Sequence, residues 1–170
     1  MRTPLLLVLI ACGCRYTWGS GKTQERTPQG DLPRVAVVTF DNDSFRRELE
    51  IRLTRQVADE LRARAPQAAA PLSKADWILT GRIVAAGERV LSETTEDTVR
   101  QSSFWMTVEV TLKEQATEKV LRTYSLTESE PFSPIVGRIR TLPQAEEQVL
   151  RDLAERIVYG LEAPDPRDNS

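Results

Sequence analysis

Residues 99–112 (VRQSSFWMTVEVTL) alternate cleanly, with Phe104, Met106, Val108, Val110 and Leu112 on one parity and Trp105, Thr107, Glu109 and Thr111 on the other. Successive side chains of a strand point to opposite faces, so this stretch demands a sheet with one apolar and one polar face. Such a sheet must bury its apolar side under a second layer. Helical periodicity supplies that layer twice. Residues 44–65 contain neither glycine nor proline, and Phe45, Leu49, Leu53, Val57 and Leu61 recur every four positions. Four residues overshoot one turn by about 40°, so the stripe winds slowly and suits a twisted sheet. Asp43 is placed to cap a helix starting near Ser44, and Pro66 stops it. Arg47, Glu50, Arg55, Asp59 and Arg62 on the other side read as a solvated face. The second helix follows Thr141, with Gln144 reaching back in a capping box. Ala145, Val149, Leu153 and Ile157 line one side of it, flanked by Leu142, Leu150 and Leu161.

Three further stretches read as strands. Residues 34–40 (RVAVVTF) are apolar on both parities, as in a central or doubly covered strand. Residues 77–86 (WILTGRIVAA) form another, expected to break at Gly87, and residues 120–127 (VLRTYSLT) return after a polar turn at 113–118. The order strand, helix, three strands, helix predicts an α+β two-layer sandwich. Both helices lie on one face of a four-stranded mixed sheet, and the crossover sets the first strand parallel to a later one.

The second face of that sheet carries Trp105, Thr107, Glu109 and Thr111 together with Thr123, Ser125 and Thr127, which makes it polar and rich in hydroxyls; Trp77 fits either face. An ordinary solvated surface is one reading. Docking inside a larger partner is the other, because hydroxyls and indoles lose less on leaving water than lysine or glutamate. Trp105, Thr107 and Trp77 are the interface candidates. Arg82, Arg100 and Arg122 fall on three strands expected to be neighbours, with Arg89 near them. Grouped, they would hold a phosphorylated lipid headgroup through forked hydrogen bonds. Glu88, Glu93, Glu96 and Asp97 would equally well neutralise them.

At the start of the chain, Arg2 precedes the apolar run 5–11 (LLLVLIA), which closes on Cys12. This is a secretory segment, far short of the ~20 residues a membrane-spanning helix needs. Residues 9–12 (LIAC) resemble the bacterial lipoprotein signal, in which the cysteine thiol receives a diacylglycerol and the freed amine is acylated. An ordinary signal peptide cleaved near Gly13 is the plainer alternative, and Cys14 is a weaker lipidation candidate. Gly13 stands where proteobacterial inner-membrane retention uses aspartate, which points to the outer membrane. The expected organisation is a signal peptide over 1–11, a lipidated N-terminus and tether over 12–31, one domain over 32–162 and a disordered polar tail over 163–170. The tether's residues 19–23 (GSGKT) look superficially like a phosphate loop. They lack its spacing, and no strand leads into them.

Formal charge is −2 and there is no histidine. Nucleic-acid binding through bulk charge is not indicated, and the commonest acid/base and metal ligand is missing. With Cys12 lipidated, Cys14 is left single, which rules out a disulfide-stapled fold. Asp41 and Asp43 are near enough to hold a cation but read as helix caps, and Ser102 and Ser103 have no base beside them. No catalysis, metal or cofactor is expected.

Residues 12–16 (CGCRY), 34–42 (RVAVVTFDN), the helix entered through 45–53 and residues 75–83 (ADWILTGRI) together resemble the lipopolysaccharide-assembly lipoprotein family LptE. Asn42, Leu49, Glu50, Asp76, Leu79, Gly81 and Ile83 stand at that family's motif positions, while two extra residues precede Tyr16. The resemblance implies a non-catalytic plug in the lumen of the outer-membrane barrel LptD. It also implies contact with lipopolysaccharide on its way to the cell surface, carried over to Arg82 and Arg122. The alternative class is a periplasm-facing lipoprotein that scaffolds or regulates another envelope machine, such as cell-wall synthesis or a secretion channel.

Overall fold

The computed structural model of the chain describes residues 32–93, 99–133 and 140–162. Cys12, Cys14, the tether, Glu96, Asp97 and the tail 163–170 lie outside the described residues, as does the side chain of Arg100. Five strands form one mixed sheet: β1 (Val35–Val37), β2 (Asp41–Asn42), β3 (Trp77–Glu93), β4 (Val99–Glu114) and β5 (Val120–Phe132). Their spatial order is β1, β3, β4, β5, with β2 also beside β3. Both short strands run parallel to β3, while β3–β4 and β4–β5 are antiparallel. Helices α1 (Leu49–Arg64) and α2 (Leu142–Glu162) cover one face, as the two apolar stripes require.

Between them lies the core. Leu49, Leu53, Val57 and Leu61 of α1 and Ala145, Val149, Leu153 and Ile157 of α2 are buried against the apolar parity of β4. Each fully buried aliphatic side chain contributes about 1.5–3 kcal/mol relative to exposure. Around the upper rim, Arg52 pairs with Glu146 at 3.0 Å and Glu147 at 3.3 Å, tying α1 to α2. Arg46 stacks its guanidinium 5.2 Å from the Phe104 ring centre while pairing with Glu88 and Glu146.

α1 starts later than the periodicity predicts. Phe45, expected in the stripe, is fully exposed, and Asp43 makes no cap. The cause is Asn42. Its Oδ1 accepts from the Ser44 amide at 2.9 Å and the Ser44 hydroxyl at 2.6 Å, while its amide donates to the Arg46 carbonyl at 2.7 Å and Glu50 Oε2 at 2.6 Å. This local turn competes with helical hydrogen bonding through residue 48, where the backbone adopts a left-handed φ of 68° before α1 begins. Pro66 does end the helix just beyond Arg64.

β3 does not break at Gly87; it pairs through Gly87↔Trp105 and continues to Glu93. β5 likewise outruns the expected Thr127, because Glu128 and Glu130, inward by parity, are held by Arg156 and Arg140 rather than by apolar contacts. At the start of α2, the Thr141 amide donates to Gln144 Oε1 at 2.8 Å, the reach-back arm of the expected capping box.

Beside β1, Asp76 clamps the chain as it enters the sheet. Its carboxylate accepts from the Arg34 amide at 3.1 Å and takes two guanidinium bonds at 3.0 and 2.8 Å. These bonds favour the charged form and draw the Asp76 pKa from an ordinary 3.8 to about 2. A carboxylate whose folded pKa is depressed stabilises the fold above its unfolded pKa and loses that contribution as pH falls towards the folded value. Thermal midpoints measured between pH 5 and pH 2 are therefore expected to fall more steeply for the native chain than for Asp76→Asn. Parallel curves would contradict the clamp.

Candidate functional site

No described element covers the face of the sheet opposite the helices. Its composition follows from register. β4 contributes Trp105, Thr107, Glu109 and Thr111; Arg82 of β3 stands opposite Glu109, and Thr123, Ser125 and Thr127 of β5 lie alongside. Thr107 and Thr127 hydroxyls meet at 2.8 Å, and those of Thr111 and Thr123 at 3.4 Å. These cross-strand pairs satisfy part of each hydroxyl while leaving a lone pair for a partner. The hydroxyls and the Trp105 indole of this surface cost less to remove from water than its charged members Arg82, Glu109 and Arg89.

Arg82 is the charged centre of this face. Its guanidinium stands 3.5 Å from Asp43 Oδ2 and 3.7 Å from Glu109 Oε2, all three side chains about half exposed. Such surface pairs contribute roughly 0–1 kcal/mol. Arg89, opposite Ser103, shares the face and is exposed.

The expected grouping of Arg82, Arg100 and Arg122 does not form. Arg122 alternates with Thr123 and so points to the helix side, where it donates to the Gly160 carbonyl at 2.5 Å near the end of α2. Arg100 lies far along β4 from Glu109, roughly 30 Å at the rise of an extended strand. Carboxylates near Arg82 are Asp43 and Glu109, whereas Glu88 is taken by Arg46.

Of the interface candidates, Trp105 and Thr107 lie on the open face. Trp77 does not: it shares the parity of Leu79 and packs against the core on the helix side. On that same side Tyr124 donates to the Ile157 carbonyl at 3.1 Å, and burial pushes its phenol up to about 12. Sequence reasoning missed the exposed Phe45, which it assigned to the core, and Val90 and Leu91, each about half exposed in the β3–β4 arm. For Val90 and Leu91 a signal existed, since the charged pair Glu88 and Arg89 immediately precedes them in the sequence.

Among the described residues no group of three or more acidic or cysteine side chains is arranged to hold a metal ion. Ser102 and Ser103 are buried. No described helix is long and apolar enough to cross a membrane.

The model of the family described as LptE, lipopolysaccharide-assembly, matches residues 32–161. No curated protein matches the chain by sequence. Several solved structures are similar. A PelC dodecamer from Paraburkholderia phytofirmans is 20% identical, with a TM-score of 0.51, over 81% of this chain and 91% of that one. Protein XCC0632 from Xanthomonas campestris is 13% identical, with a TM-score of 0.55, over 79% and 87%. A minor lipoprotein from Acinetobacter baumannii is 13% identical, with a TM-score of 0.54, over 77% and 93%. At these identities the likeness is one of fold.

Proposed function

The chain belongs to the lipopolysaccharide-assembly family LptE, and from that premise we propose that it is a plug and assembly partner of an outer-membrane barrel of the LptD type, touching lipopolysaccharide in transit. Membership makes it a non-catalytic outer-membrane lipoprotein. The anchor is assigned to Cys12, with the tether 12–31 linking it to the domain and residues 163–170 as a tail. The observation that carries the reading is the uncovered, hydroxyl-rich face of three long strands, with Trp105 and Thr107 at its centre. A barrel wall lined with polar side chains matches such a face better than an apolar partner would, since threonine hydroxyls can trade water for wall groups at little net cost.

Lipopolysaccharide contact is assigned to Arg82, which offers a fork of N–H donors to a phosphate once Asp43 and Glu109 release it. Arg100 and Arg122 are not part of one phosphate site with it. Charge reversal at Arg82 adds a third carboxylate to that neighbourhood. Arg82→Glu is expected to weaken binding of purified lipopolysaccharide roughly tenfold, about 1.4 kcal/mol, with an unchanged melting curve. Unchanged binding would remove Arg82 from the transport path.

A second reading has one observation in its favour. A protein of the same fold is a dodecamer, so this chain could instead scaffold another envelope machine as a ring of its own copies. Mild-detergent extraction followed by sizing separates the two: one copy with one large barrel supports the plug, and a homo-oligomer supports the ring.

A further inference from the structure

A groove of about 590 Å³ opens at the end of the domain where the tether enters, away from the open sheet face. Val37, Ala58, Leu61, Pro66, Ala70 and Leu72 line it, and the one charged group among all its lining residues is Arg62 at the rim, paired with Asp59 at 2.6 Å. Leu61 forms a buried floor, while Leu72 on the rim is 51% exposed. The groove is held open from below. Val35 donates to Ala68 O at 2.7 Å and accepts from the Ala70 amide at 3.0 Å, so the loop 66–72 is strapped to the edge of β1 and cannot collapse onto α1. Apolar side chains set around exposed backbone polar groups make this concavity a docking site for an aromatic side chain that also carries a polar edge, as an indole does.

The chain itself carries a matching group within reach. The segment preceding the domain holds Tyr16 and Trp18, followed by residues 19–31 (GSGKTQERTPQGD), which include no aromatic or large aliphatic side chain. That polar stretch ends at Leu32, three residues before Val35 of the groove lining. Thirteen residues reach at most about 43 Å, so an indole at the far end of this stretch is within range of the groove. Closure entropy grows only logarithmically with loop length, and a short linker gives an effective concentration on the order of millimolar.

We infer that the groove between β1, the end of α1 and the loop 66–72 receives Trp18 of the same chain. Docking shortens the path from anchor to domain. Only residues 13–17 then separate the lipidated Cys12 from a fixed point on the domain, a reach of about 20 Å. The domain is held with its β1 end towards the membrane, and the open sheet face is presented at a set angle. This orienting consequence rests on the lipid anchor proposed at Cys12; the docking does not.

The test places the photo-crosslinking amino acid p-benzoylphenylalanine at position 18 of the full-length chain in cells, followed by trypsin and mass spectrometry. Its main cross-link is expected within the same chain to the peptide 65–74 (APQAAAPLSK), which carries the loop side of the groove. Leu72→Asp, a change at an exposed rim position, is expected to reduce that cross-link at least fivefold with an unchanged melting curve. Cross-links spread over the domain, or found only on lipid or other proteins, would overturn the docking. Cys12→Ala distinguishes the two claims: a cross-link that persists in a released protein supports docking by itself, and one lost with the anchor contradicts it.

Discussion

Cys12→Ala is expected to leave the protein without acyl chains and to shift it from the outer-membrane fraction to the soluble periplasmic fraction, save what the barrel partner holds, while its domain stays folded. No described helix is long and apolar enough to cross a bilayer, and the proposed acyl chains on Cys12 supply the attachment. Burial of acyl chain contributes about 0.8 kcal/mol per CH₂; a single chain holds only marginally, and several on one residue hold durably. Cys12 precedes the domain, whose buried core is built from residues between Val35 and Leu161. Membrane fractionation combined with mass spectrometry of the N-terminal peptide checks the result. Cys14→Ala serves as the control and is expected to remain lipidated and membrane-bound. An unmodified Cys12 in the wild-type protein would contradict the assignment.

Gly81→Ala is expected to cost about 3 kcal/mol, at the upper end for an overpacked core, and to lower the melting midpoint by roughly 10 °C. A Cβ on Gly81 would lie 2.6, 2.8 and 2.9 Å from three atoms of the Phe40 ring. That ring has no room to retreat: Phe40 is 2% exposed, and its amide donates to Thr54 Oγ1 at 3.0 Å, fixing the backbone to α1. Gly87 sits on the same strand with a different surrounding. A Cβ there meets Trp105 at 3.5 Å or more, an ordinary contact. Gly87→Ala should therefore change stability by no more than about 0.5 kcal/mol. Thermal denaturation of the two variants gives the comparison, and equal effects would contradict the packing described. Phe40→Leu, destabilising by itself, is expected to recover part of the loss in the Gly81→Ala background, a coupling that a double-mutant cycle isolates.

The positions that carry the family resemblance are structural. Asn42 bonds Glu50 and builds the turn into α1, Asp76 clamps Arg34, Gly81 accommodates Phe40, and Leu49, Leu79 and Ile83 are buried. They cluster where β1, β2 and β3 meet α1, so a motif made of them reports how the domain folds and says little about what it touches. The layered architecture was legible because β4 alternates strictly and both helix stripes are continuous. α1's start was not, since helical periodicity at Phe45 has no way to register that Asn42 takes the backbone groups of residues 44–46.

The arginines are a different case. Leu79, Gly81 and Ile83 inward place Arg82 outward, and Thr123, Ser125 and Thr127 on the open face send Arg122 the other way. Parity alone held that separation. Gly87 misled because a glycine inside a strand signals either a break or a close neighbour, and only the register with Trp105 decides between them.

The most direct test of the plug is photo-crosslinking from the open face in intact envelopes, with a reactive amino acid at position 107 and, as a control, at position 55 on the exposed side of α1. Capture of a single outer-membrane barrel protein from position 107 and not from position 55 is the predicted result. Capture of that barrel only from position 55, or of a second copy of this chain from position 107, would contradict it.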